Sequence, residues 1–261
     1  MYKGAQTYTF RDFISDRKQF EQSLKRVKAI GYESLQHGTP PFMTAQETKA
    51  MLDDIGLLPC SSGADHRLMD DPAEVKKVIA IANVYGVKDI YTGSIPFDMA
   101  DNADGYKKFA ATLNAIGKKF IKDGCYITYH HHAMEFHSLG NGRTGMDILF
   151  EETDPSCVMF CLDTHWLAAG GVDPAEWILK VKGRMSIIHF KDYAIGGGGT
   201  MVEGVSKRYA EVGEGNLNWP KIVAACREAG VEHAVFEQDE CARDPFDSME
   251  ISYRNMVKFG V

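Results

Sequence analysis

An α/β fold, a (β/α)8 barrel occupying residues 1–261, is what the sequence predicts, on three observations. Eight short apolar runs rich in β-branched and aromatic residues alternate with longer helix-like segments along the whole chain. Those segments repeatedly close on a glycine just before the next strand, at Gly31, Gly56, Gly86, Gly124 and Gly230, as a βα unit reused around a ring would. No linker rich in Pro, Gly or Ser divides the chain, and no GxGxxG follows the first strand, where an open dinucleotide-binding sheet carries one.

The strands run, in order, over 4–10 (GAQTYTF), 32–38 (YESLQHG), 56–62 (GLLPCSS), 89–95 (DIYTGSI), 125–131 (CYITYHH), 158–163 (VMFCLD), 185–190 (MSIIHF) and 233–239 (HAVFEQD). Helices are predicted over 16–30, 44–55, 72–85, 103–123, 145–152, 173–182 and 218–229, with a last one over 246–259. The third helix carries clear start and stop signals. Asp71 can accept from the first turn's free N–H groups, Pro72 has none to satisfy, and Gly86 tolerates the left-handed conformation past the end. DPAEW at 173–177 repeats the device. The glycine run at 196–199 follows the seventh strand with no helix signature behind it, which predicts a mobile loop over the barrel mouth. A phosphate cradle is the alternative, because barrels bind phosphate after strands seven and eight.

Composition narrows the function. With 44% hydrophobic and 25% charged residues the chain can bury a large core. A net charge of −7 with scattered basic residues argues against a nucleic-acid partner, which needs a Lys/Arg stripe. No stretch of ~18 apolar residues offers a membrane span and MYKGAQTYTF lacks a secretory core, so a cytoplasmic location without a membrane partner is expected. The six cysteines stand singly, with no CxxC pair, and are expected to be reduced and mostly buried.

In such a barrel the active site forms where strands finish, and strands five to eight end in HHH, DTH, HFKD and EQDE. Residues two apart share a face, which pairs His130 with His132, Asp163 with His165, His189 with Lys191 and Glu237 with Asp239. The first members are expected to form an inner ring and the second a ring ~6.6 Å higher, with His131 turned outward. An inner ring of His, Asp, His and Glu is a mixed imidazole and carboxylate set suited to Mn2+, Co2+, Zn2+ or Fe2+, whereas Mg2+ prefers oxygen alone. Polar strand ends without an ion would explain one such histidine; four coincident positions favour the metal.

GAQTYTFRD, YHHHAMEF, CLDTHWLAAGGVDP, IIHFKDY, EVGEGNLNW and FEQDE resemble the sugar phosphate isomerase/epimerase family of xylose isomerase-like TIM barrels, whose relatives include inosose dehydratases and ketose 3-epimerases. The resemblance covers nearly the whole chain. It implies metal ligands at the ends of strands five to eight, which fall on Asp163, His189 and Glu237. The family's strand-five glutamate is His130 here, so either His130 ligates or Glu135 curls back to supply a carboxylate. The implied activity is isomerisation or epimerisation of a keto or aldo sugar, sugar phosphate or polyol through an enediolate. A lyase that dehydrates a keto sugar or inosose on the same site is the alternative.

For that chemistry Glu237 is the expected base, His132 the residue that returns or redirects the proton, and Lys191 or His165 the holders of substrate oxygens. Trp166 and Tyr8 are expected to stack on the sugar, Gln6 and His37 to meet its hydroxyls, and Glu135 to join the contacts if it does not ligate. Asp239 is expected to orient a ligand. A phosphodiesterase fits poorly with an acidic chain and so small a ligand set, and a binding-only protein fits poorly with a full complement of acids and bases. A homodimer or homotetramer is the expected assembly.

Overall fold

The computed structural model describes residues 1–196 and 207–261. Its strands are β1 (Tyr2–Gln6), β2 (Ser34–Gln36), β3 (Leu58–Gly63), β4 (Asp89–Gly93), β5 (Tyr126–His130), β6 (Val158–Asp163), β7 (Ile187–Phe190), β8 (Asp192–Ile195), β9 (Lys207–Ala210) and β10 (His233–Phe236). All but β8 and β9 close into a parallel barrel in the order β1-β10-β7-β6-β5-β4-β3-β2. The helices are α1 (Arg17–Ile30), α2 (Ala45–Ile55), α3 (Pro72–Tyr85), α4 (Ala103–Phe120), α5 (Gly145–Glu152), α6 (Thr164–Ala169), α7 (Pro174–Lys180), α8 (Trp219–Ala229) and α9 (Pro245–Lys258). Among the described residues no helix is long and apolar enough to cross a membrane.

The predicted punctuation is present in three dimensions. Gly31, Gly56, Gly86, Gly124 and Gly230 all take positive φ, and Asp71 caps α3 by accepting from Ala73 N, with Pro72 in its first turn. All six cysteines are free thiols, each buried except the half-buried Cys241.

The differences lie at strand ends. The first strand stops at Gln6 instead of running to 10, because the Gln6 side chain accepts from Tyr8 N and starts a 3-10 helix over Thr7–Phe13. A short helix, α6, begins directly after β6, where no element was predicted, since Asp163 caps it. The antiparallel hairpin of β8 and β9 was also not predicted. Of the glycine run expected over the mouth, Gly197, Gly198 and Gly199 lie outside the described residues.

Two apolar layers position the site. The larger cluster fills the space between strands and helices, with Phe20, Leu24, Tyr106, Phe109, Phe160 and Trp219 among its members. A smaller one, Cys60, Cys161, Ile187 and Val235 with Tyr91 against it, comes from β3, β6, β7, β10 and β4 and plugs the barrel interior. Asp163, His189 and Glu237 each follow a member of this plug by two residues, so alternation sets all three above it on the same inner face.

Candidate active site

Above the plug opens a cavity of about 700 Å3, whose lining includes Gln6, Tyr8, Gln36, His37, His130, His132, Lys191, Glu237 and Asp239. At its floor one oxygen or nitrogen from each of Asp163, His189 and Glu237 lies within 4.8 Å of the others. The atoms involved are in unusual condition. His189 Nδ1 and Glu237 Oε2 are buried and have no hydrogen-bond partner, and Asp163 Oδ2, also buried, faces the Lys191 ammonium at 3.1 Å. His189 Nδ1 and Glu237 Oε2 stand 2.5 Å apart without hydrogen-bond alignment, as two donors aimed at a common point would.

Each donor is held from behind. Asp163 Oδ1 accepts from His165 N at 2.8 Å and Trp166 N at 3.0 Å, capping α6, so helix formation turns Oδ2 to the centre. Asp163 N donates to His131 Nε2 at 3.1 Å, and His131 Nδ1 donates to His132 O at 3.0 Å. Burial pulls His131 down to about 3, so the ring is neutral and serves as a strut between the β5 and β6 ends. His189 Nε2 lies 2.5 Å from Gln36 Oε1, which also accepts from Gln6 Nε2 at 2.7 Å. Gln36 therefore takes the proton-bearing nitrogen of His189 and leaves the Nδ1 lone pair facing the carboxylates.

Lys191 occupies the upper side of this cluster. Its ammonium is 3.1 Å from Asp163 Oδ2, 3.2 Å from Glu237 Oε1 and 3.1 Å from Asp239 Oδ2, in a side chain 1% exposed. Burial opposes the charge, but the three carboxylates outweigh it and push the lysine upward. With its three N–H groups so engaged, Lys191 is a fixed internal charge and not the substrate-holding arm expected of it. Asp239 correspondingly braces Lys191. Three carboxylates against one ammonium leave two negative charges uncompensated, which, with the unpartnered donors, fits a divalent cation beside a neutral His189. Without one, burial disfavours charge on His189, yet Cys161 and Glu237 push the imidazole well above its ordinary value.

The expected four-membered inner ring does not form. His130 groups with Cys161 and His189, its ring centroid 4.6 Å from that of His189 and its Nδ1 3.3 Å from Cys161 O. Strand register is the cause: His130 pairs with Cys161, one layer beneath Asp163, whereas Asp163 pairs with His189. The stagger of a closed barrel places His132 opposite Asp163 instead. His132 lines the cavity with Nδ1 buried and unpartnered, between the rings of His130 and Trp166. Burial, then the Lys191 charge, lowers its pKa.

Glu237 is less suited to the base role than expected. Desolvation would raise it, but His189 and Lys191 outweigh burial and hold it well below the usual carboxylate range. Glu135 lies outside both the Asp163, His189 and Glu237 group and the cavity lining. It is fully buried, accepting from Tyr129 OH at 2.5 Å and from His132 N at 2.8 Å, and desolvation raises it to about 7. His165 leaves the main cavity because α6 breaks the two-residue alternation; with Trp166 it borders a separate cavity beside Tyr209. The Trp166 ring lies 5.2 Å from the Lys191 ammonium.

Gln6 reaches the cavity with its amide already engaged, and Tyr8 stands half-exposed at the rim under the Arg11 guanidinium. His37 lines the cavity. Nδ1 meets Gly38 O at 2.9 Å, desolvation lowers the ring to about 4, and Nε2 is buried without a partner. Gln36, Ser61 and Ser62 also line the cavity with unpartnered Nε2 or Oγ atoms, and went unrecognised because none is ionisable. A glutamine at the close of β2, next to a flagged histidine, was the available signal for Gln36.

A family model described as xylose isomerase-like TIM barrel matches residues 24–250. An inosose dehydratase of Lacticaseibacillus casei is 25% identical over 260 residues, covering 87% of this chain and 85% of the relative. The solved structure of a sugar phosphate isomerase/epimerase from Parabacteroides distasonis is 26% identical with a TM-score of 0.77, covering 98% of this chain and 93% of that one. The IOLI protein, solved with a bound zinc atom, superposes with a TM-score of 0.72 over 99% of this chain and 98% of that one; at 13% identity this likeness concerns the fold alone.

Proposed function

The chain belongs to the xylose isomerase-like TIM barrel family, and from that premise we propose that it is a metal-dependent isomerase or epimerase of a keto or aldo sugar, sugar phosphate or polyol. The observation that carries the proposal is the convergence of Asp163, His189 and Glu237, the last two with a buried unpartnered atom each, beneath a polar cavity of small-molecule size. Those three residues would hold a Mn2+, Co2+, Zn2+ or Fe2+ ion, which when bound would supply a Lewis acid for a substrate carbonyl.

The remaining chemistry belongs to the chain's own side chains. His132, which lines the cavity and is neutral at pH 7 by virtue of its lowered pKa, takes the proton from the carbon beside the carbonyl. Returned by the same imidazole to the adjacent carbon, on the same face, that proton gives isomerisation once the hydroxyl proton has passed to the former carbonyl oxygen. Epimerisation needs a second proton-carrying group across the sugar ring. His37, just past β2 and hence three strands around the barrel from β5, lies across the cavity, but its ring is neutral with the proton on Nδ1 toward Gly38 O, so Nε2 has no proton to give and His37 does not supply that step. Gln36 Nε2, Ser61 and Ser62 supply hydrogen bonds to hydroxyls. In D2O with Mn2+, the wild-type protein is expected to place deuterium beside the carbonyl of a keto sugar drawn from a panel of ketoses and inososes. No exchange into any member would sink the proposal.

A dehydratase is the second reading, favoured by the similarity to an inosose dehydratase over most of the chain. Having taken the proton, His132 can hand it to a hydroxyl leaving from the next carbon, which frees water and creates an enone. Ultraviolet absorbance of that enone separates the two outcomes.

A further inference from the structure

We infer that the substrate of this site carries a second, neutral sugar ring, seated in a side cavity between the loops that follow β3 and β4; the inference rests on the keto-sugar assignment above. Volume is the first argument. At ~30 Å3 per water-sized group, the dozen or so heavy atoms of a hexose need at most ~360 Å3. The main cavity offers about 700 Å3. A further cavity of about 560 Å3 adjoins it, the two sharing Ala64, Thr92, Gly93 and Ser94 in their linings.

The chemistry of the side cavity suits a sugar. Phe97 lines it with a side chain 80% exposed, an aromatic face available to the C–H side of a pyranose. Beside it, Arg67 is gripped by Asp65 through Nε at 2.9 Å and Nη2 at 2.7 Å, while Arg67 Nη1 makes no hydrogen bond among the described residues. His66 Nε2 is buried and unpartnered, its Nδ1 3.3 Å from Thr92 Oγ1. Because Asp65 neutralises Arg67, a phosphate gains little there, whereas hydroxyls find donors and an acceptor set beside an apolar plane. The shared wall is also strained: Ser94, a non-glycine residue, sits at φ 61°, a feature that gathers at ligand clamps.

The test uses D-fructose and the glucosyl-fructoses trehalulose, turanose, maltulose, leucrose and isomaltulose, which carry a second ring on different oxygens of the same keto sugar. Affinities are measured calorimetrically on the Mn2+-supplemented protein. At least one disaccharide is expected to bind roughly tenfold more tightly than fructose, and that ratio is expected to fall to about one in Phe97→Ala, whose exposed side chain can be truncated without disturbing the core. Fructose binding with no disaccharide exceeding it, or a gain that survives Phe97→Ala, overturns the second-ring subsite and leaves the keto-sugar site standing. Binding of neither fructose nor any disaccharide overturns the keto-sugar assignment, and the subsite with it.

Discussion

His132 lies between the two chemistries proposed, and its role has a pH signature. Burial and Lys191 both lower its pKa, so the neutral, basic form persists below the ordinary 6.5. The kcat/KM profile is expected to rise through a limb below pH 6.5 and stay level at neutrality; a limb above 6.5 would contradict the assignment. His132→Asn is expected to slow proton exchange by ~10^2–10^4-fold, and exchange at the wild-type rate would remove His132 from the mechanism. Gln36→Leu deprives His189 Nε2 of its acceptor, so Mn2+ affinity measured calorimetrically should fall ~10–100-fold, with no change as the contrary result. Glu135, raised from 4.5 to about 7, binds its proton more tightly folded than unfolded. Its contribution to stability is therefore full below about pH 4.5 and lost as pH rises to about 7, a change of about 3 kcal/mol. Denaturant midpoints of wild type and Glu135→Gln across that window check the sign, since the variant should lack this dependence.

Among the elements, what could be read in advance followed local physics. Gly86 beyond Asp71 and Pro72 fixed α3 to the residue, and the two-residue period lifted Asp163, His189 and Glu237 above Cys161, Ile187 and Val235. Register between strands is set by closure of the whole barrel, and no local pattern encodes it; this is why His130 was expected level with Asp163 but pairs with Cys161. The period also ends where a strand ends, which carried His165 onto α6 and out of the main cavity. Engagement by neighbours is equally invisible in sequence, so Lys191 and Glu135 looked available until their partners were seen. The motif EVGEGNLNW has a structural task. Asp192 accepts from the backbone N–H groups of Gly213, Gly215 and Leu217 and from Trp219 Nε1, tying the loop before α8 to the start of β8. A Cβ on Gly215 would lie 2.3 Å from Asp192 Oδ1, so only glycine fits. Asp192→Ala should cost about 3 kcal/mol, read as a lowered thermal midpoint, and an unchanged midpoint would show the network to be dispensable.

Across the whole molecule, the barrel brings donors from β6, β7 and the end of β10 to one point, beside which three carboxylates face one ammonium. An ion bound only to the folded chain stabilises it by about 2.7 kcal/mol at a hundredfold excess over Kd. Adding Mn2+ should accordingly raise the melting temperature by ~5–10 °C, and a chelator should reverse the rise. The most direct measurement is an anomalous difference map from a crystal grown with Mn2+. One peak within bonding reach of Asp163 Oδ2, His189 Nδ1 and Glu237 Oε2 is the predicted result; no peak there, or a peak held by His130 and Cys161 instead, would contradict the account.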